Sequence, residues 1–164
     1  DYKLADIPNT CVSAVKAVKD LKLNYISIHV SSGLKALKAV KKVSGQTKII
    51  GVTILTSLDN KSLKEIGFDK DVKKLVQLQA KLASKANLDA IVCSPHEIKI
   101  VNKIFKKEIF TPGIRMTGDS KGDQKRVMSP KQAFQNGATG LVMGRSLVKG
   151  RIKQNIQKLI EQLK

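Results

Sequence analysis

Asp1, Lys3 and Asp6 set two carboxylates around one ammonium within the first six residues. A solvated charge run is the ordinary fate of such a stretch, but its surroundings point elsewhere. Pro8 suits the first turn of a helix, and Asn9 or Thr10 offers a side-chain cap for backbone N–H groups. Val12, Val15, Val18 and Leu21 then recur at helical spacing. The charged cluster therefore falls where a strand hands over to a helix, which is where β/α proteins gather their active sites.

A second chemistry is written later in the chain. Thr111-Pro112-Gly113-Ile114-Arg115 and Gly144-Arg145-Ser146 each put a glycine beside an arginine just beyond an expected strand. Glycine lets the backbone approach an anion, and the planar guanidinium pairs with phosphate oxygens. One Gly-Arg pair is a weak signal; two on the last two strands carry more. Between them, 116–126 is rich in Gly, Asp and Lys, with Gln124 near its end. It suits a lid that closes over a ligand, and equally a plain surface loop.

These residues need a frame. Strands are expected at 25–30, 48–55, 90–94, 109–112 and 140–143, with a strand stub at 1–3. Helices are expected near 8–22, 33–43, 70–86, 96–106, 130–136 and 148–163. The helix at 70–86 turns Val72, Leu75, Val76, Leu82 and Ala83 inward, and the last helix does so with Ile152, Ile156, Leu159, Ile160 and Leu163. The run Ile49–Leu55 is apolar almost throughout, as for a strand covered on both faces. Alternating β and α elements predict a parallel sheet, and polar residues cluster at the C-terminal end of each strand. A closed barrel wants eight strands and roughly 250 residues, whereas a doubly wound sheet needs fewer. Against the latter, no Gly-rich dinucleotide fingerprint follows any strand.

The 164 residues suit one domain, 41% hydrophobic, with no run of membrane-spanning length. The absence of an initiator Met suggests a piece of something longer. Cys11 and Cys93 form no metal-ligand pattern and read as two buried thiols; His29 and His96 read as structural. The net charge of +18 raises nucleic-acid binding as a reading. The excess is mostly lysine on expected outward helical faces, including Lys35, Lys38 and Lys41, and aromatics are only 4%. Little is left for base stacking.

Asp1-x-Lys3-x-x-Asp6-Ile7-Pro8-Asn9-Thr10, Val52–Ser57, Val92-Cys93-Ser94, Thr111–Arg115, Gly122–Arg126 and Gly144-Arg145 together resemble the orotidine 5'-phosphate decarboxylases. The order and spacing hold across the whole chain. The resemblance implies an α/β fold, a (β/α)8 TIM barrel, incomplete here for want of the first two βα units. One domain over 1–164 would run from the end of the third strand to the C-terminal helix. It implies removal of CO2 from orotidine 5'-monophosphate to give uridine 5'-monophosphate, with no cofactor and no metal, in a cytoplasmic homodimer with shared active sites. Lys3 would donate a proton to C6 of the pyrimidine, with Asp1 beside it. Asp6, Ile7 and Thr10 would reach the neighbouring subunit's site. Thr56 would line the nucleotide site, Ser94 would meet the ring, and Arg115, Gln124, Gly144 and Arg145 would hold the phosphate.

The departures matter as well. The family's first two strands supply an aspartate to the ribose and a lysine to the charged array, and neither strand is in this sequence. Two βα units are on the order of 60 residues. Without them the 164-residue chain is expected to be inactive and poorly soluble. Related sugar-phosphate decarboxylases and aldolases, which use a similar Asp-x-Lys-x-x-Asp with Mg2+, give a rival reading. A basic nucleic-acid-binding module is a more distant one.

Overall fold

The computed structural model describes residues 2–116 and 127–163. Its five strands form one parallel sheet in chain order: β1 (Tyr25–His29), β2 (Lys48–Val52), β3 (Ala90–Val92), β4 (Glu108–Thr111) and β5 (Gly140–Leu141). In place of the stub expected at 1–3 there is a single bridge at Leu4, which pairs with Ile28 in parallel, and Lys3 before it is left-handed. The Leu4 N–H donates to the Ser27 carbonyl at 2.9 Å, and its carbonyl accepts the His29 N–H at 2.7 Å. The helices are α1 (Pro8–Ala17), α2 (Gly33–Val43), α3 (Asn60–Glu65), α4 (Val72–Lys85), α5 (Ile98–Ile104), α6 (Pro130–Gln135), α7 (Arg145–Val148) and α8 (Ile152–Leu163).

Several boundaries differ from expectation, each for a local reason. Neither Asn9 nor Thr10 caps α1: the cap position is Ile7, without a side-chain cap, and Pro8 takes the first helical position. The helix stops at Ala17 and passes through a 3₁₀ turn to Lys22, whose left-handed φ of 49° ends it and leaves Leu21 exposed. β2 ends three residues early, at Val52, and Thr53 gives both its N–H and its hydroxyl to the Val92 carbonyl, at 3.1 and 2.7 Å. Helix α3, in a stretch where no element was expected, starts on the Asp59 carboxylate, which accepts the Ser62 N–H at 2.9 Å.

The sheet has two unlike faces. On the outer one, Ile26, Ile28, Ile49, Ile91 and Ile109 are buried against Ala36, Leu37 and Val40 of α2 and Val76, Ala80 and Ala83 of α4. Each such aliphatic side chain contributes about 1.5–3 kcal/mol. A Cβ at Gly51 would stand 2.9 Å from both Leu88 and Val30, so glycine is what lets this layer close. On the inner face lie Tyr25, Ser27, Ile50, Val52, Val92 and Phe110. The expectation that both faces are covered holds only for the outer one, since five strands make an open arc.

Two further corrections concern surfaces. The apolar stripe of α8 does not turn inward: Ile152, Ile156 and Ile160 are 52%, 44% and 45% exposed. The helix packs mainly along α6 and α7, which leaves the stripe uncovered. Lys41 is no solvated lysine; it is half-buried and meets both Asp89 oxygens at 2.7 and 2.6 Å. Burial alone would raise the Asp89 carboxyl, but the Lys41 ammonium and the Ile49 N–H (2.8 Å) hold it below its ordinary value.

Candidate functional site

Parallel strands bring all their C-terminal ends to one rim, and the two-residue alternation aims every second side chain over the inner face. A cavity of about 440 Å3 opens there. Its walls are apolar, from Ile50, Val52, Val92 and Phe110, and its polar points are Lys3, Ser27, Thr56 and Ser94. An apolar hollow with a few convergent polar groups is the usual make-up of a small-molecule site.

Lys3 lines this cavity from an unusual backbone. Its φ is +47°, a left-handed conformation that costs a non-glycine residue roughly 1–2 kcal/mol. The turn is pinned by the Lys3 N–H, which donates to Ser27 Oγ at 2.9 Å. Ser94 is buried in the turn after β3, where its Oγ accepts the His96 N–H at 3.3 Å. Thr56 sits half-buried after β2. Thr111, by contrast, is structural: its hydroxyl donates to the Cys93 carbonyl at 2.9 Å and joins β4 to β3.

His29, the last residue of β1, stands on the same inner face. Burial, and then the Lys3 ammonium nearby, lower its pKa and favour the neutral imidazole. Cys11 is buried as expected; its thiol donates to the Asp6 carbonyl at 3.3 Å, and burial is the main cause of its raised pKa.

The cavity thus brings together Lys3, Thr56 and Ser94 of the expected site. Asp6, Ile7 and Thr10 are exposed beside it at the start of α1, where the Asp6 carboxylate accepts the Ile7 N–H at 2.6 Å. Arg115 is half-buried after β4, one guanidinium nitrogen donating to the Ile114 carbonyl at 2.8 Å. Gly144 and Arg145 are exposed after β5, at the first turn of α7. These three residues follow strands that are paired neighbours, although none of them lines the cavity. Asp1 and Gln124 lie outside the described residues. Ser27 was not foreseen; its signal was the alternation that sets it on one face with Tyr25 and His29.

The family model described as Orotidine 5'-phosphate decarboxylase / HUMPS family matches residues 1–157. The chain belongs to that family. It is 42% identical to an orotidine 5'-phosphate decarboxylase of Erythrobacter litoralis, over 91% of this chain and 67% of the relative. With that of Prochlorococcus marinus (strain MIT 9215) it shares 45% identity, over 91% of this chain and 66% of the relative. The chain therefore spans about two thirds of the length of these decarboxylases. A crystal structure of the Lactobacillus acidophilus decarboxylase superposes with a TM-score of 0.82 at 26% identity, covering 98% of this chain and 72% of that one. The open arc is accordingly part of a (β/α) barrel, the fold class expected from the sequence. No helix among the described residues is long and apolar enough to cross a membrane.

Proposed function

We propose that the protein carrying this chain decarboxylates orotidine 5'-monophosphate to uridine 5'-monophosphate, without a cofactor, with Lys3 as the proton donor. The observation that carries this reading is Lys3 itself, which lines the cavity from a left-handed backbone together with Thr56 and Ser94. In the reaction the bond from C6 to the carboxylate breaks, its electron pair stays on C6, and CO2 leaves. The Lys3 ammonium stabilises that charge and passes its proton to C6, and the resulting amine regains a proton from water. Asp1, together with Asp6 reaching in from a second copy of the chain, orients the ammonium by opposite charge. The apolar wall excludes water, which strengthens the ammonium's field at the ring.

Ser94 meets the pyrimidine, Thr56 lines the nucleotide site, and Arg115, Gly144 and Arg145, with Gln124, hold the phosphate. Binding energy from that remote group serves the step at C6. The exposure of Ile7, at 66%, supports its role as a contact with a second copy in a homodimer. The compartment that fits such an enzyme is the cytoplasm. A solved relative from Methanocaldococcus jannaschii carries the inhibitor BMP, a ligand we place by analogy in the same cavity.

The test is Lys3→Met in the complete protein. Turnover should fall by at least about 10³-fold, since general-acid and field contributions are lost together. Product formed in D2O by the unaltered enzyme should carry deuterium at C6. Full turnover by the variant sinks the reading, and activity abolished by a chelator would favour a Mg2+-dependent sugar-phosphate reaction.

A further inference from the structure

We propose that Ser27 is a positioning residue for Lys3: its hydroxyl oxygen holds the backbone of residue 3 in the turn that sends the ammonium into the cavity. This rests on the reading of Lys3 as the proton donor.

Two consecutive N–H groups converge on Ser27. Leu4 donates to its carbonyl at 2.9 Å, which is ordinary parallel pairing and asks nothing of the side chain. Lys3 donates to its Oγ at 2.9 Å, and that bond depends on the residue being serine. It forms because β1 alternates: Ser27 faces inward between Tyr25 and His29, whereas Ile26 and Ile28 face the helices. The chain beyond Leu4 departs from the ladder at Lys3, with φ of +47°, and the displaced N–H swings to the inner face and meets the hydroxyl. A conformation disfavoured for lysine persists where its surroundings hold it in place. Ser27 is 5% exposed, so little water reaches the bond to replace it. Without the hydroxyl, residue 3 is free to relax toward extended backbone, which points its side chain elsewhere. The substrate's contacts at the other strand ends would be untouched, so the loss belongs in the chemical step and not in binding.

The experiment compares Ser27→Ala, Ser27→Cys and Ser27→Thr in the complete protein, with Lys3→Met as reference. Ser27→Ala and Ser27→Cys, which lack a strong oxygen acceptor, should lower kcat about 30-fold while KM for orotidine 5'-monophosphate stays within about 2-fold. Ser27→Thr keeps the oxygen and should return kcat to within about 3-fold of the unaltered enzyme. Hydrogen exchange at the Lys3 amide should quicken at least about tenfold in the alanine and cysteine variants, a readout independent of turnover. If alanine misfolds, cysteine, of nearly equal volume, still decides. Wild-type kcat in Ser27→Ala, with Lys3→Met inactive, overturns the positioning role alone. Equal losses in the threonine and alanine variants would mean packing and would overturn it too. Full turnover by Lys3→Met brings down the donor reading, and this inference with it.

Discussion

The two ends of the inner face use polar groups in opposite ways. At the base, the Tyr25 hydroxyl donates to Glu108 at 2.6 Å, and the Lys48 ammonium pairs with the other Glu108 oxygen while lying 5.3 Å from the Tyr25 ring centroid. The hydrogen bonds from Lys48 and then Tyr25 hold the Glu108 carboxyl below its ordinary range. Just outside, Asp89 is closed by Lys41. Charge at this end is turned on itself and ties β1, β2 and β4 together. At the rim, Lys3, Thr56 and Ser94 face a cavity, and the backbone that presents Lys3 is held in a costly conformation. One end of the barrel spends its polar groups on cohesion, the other on presentation to a ligand. That division matches the general behaviour of β/α barrels.

If the division holds, rim substitutions should change rates and base substitutions should change stability. After the loss expected of Lys3→Met, the next largest effect belongs to Arg145→Ala. If Arg145 holds the phosphate as proposed, its removal forfeits a charge-assisted contact of about 2 kcal/mol, so kcat/KM should fall about 30-fold, mainly through KM. Melting temperature should stay within about 2 °C, because Arg145 is exposed. Steady-state kinetics with a thermal melt checks both halves. A large drop in melting temperature with unchanged KM would move Arg145 from the rim's role to the base's.

Asp89→Asn is the converse. The carboxylate takes two contacts from Lys41 and one from the Ile49 N–H, and its side chain is 22% exposed. Losing the charge should cost about 2 kcal/mol of stability, or about 4–8 °C for a domain of this size, with kcat unchanged. The sign with pH follows from the lowered carboxyl. Its contribution is full above the ordinary 3.8 and is lost as pH falls through the lower folded value, so the variant's deficit should shrink in acid.

How much of this was legible beforehand depended on distance along the chain. Helix α2 falls on the predicted 33–43, because its apolar period and its glycine start lie within one short window. The convergence of Lys3, Thr56 and Ser94 was legible too, since parallel strands bring their ends together whatever their order. Helix α3 was not: six residues that bury only Leu63 give no period to read, although Asp59 three residues before Ser62 was an available cap signal. Amphipathic spacing in α8 marked its apolar face correctly but carried no information on what covers it. Ser27 was hidden for a similar reason. A serine in a strand has no special meaning until register sets it against the residue whose N–H it must accept, more than twenty positions away.

The smallest effect tests the rim most finely. His29 has its pKa lowered by burial and by the Lys3 ammonium, so the folded protein favours its neutral form. Stability linked to it is complete above the ordinary 6.5, where folded and unfolded chains both hold it neutral. As pH falls below that value the unfolded chain takes up the proton first, and stability declines until the folded imidazole titrates as well. NMR titration of His29 should therefore give a value that rises in Lys3→Met, and the decline of melting temperature below pH 6.5 should flatten. Exposure screens the charge, so the change amounts to a fraction of one proton. An unmoved His29 would mean that the ammonium at position 3 points away from β1. The left-handed turn would then serve the base's kind of purpose, cohesion, and the contrast between the two ends would lose its central residue.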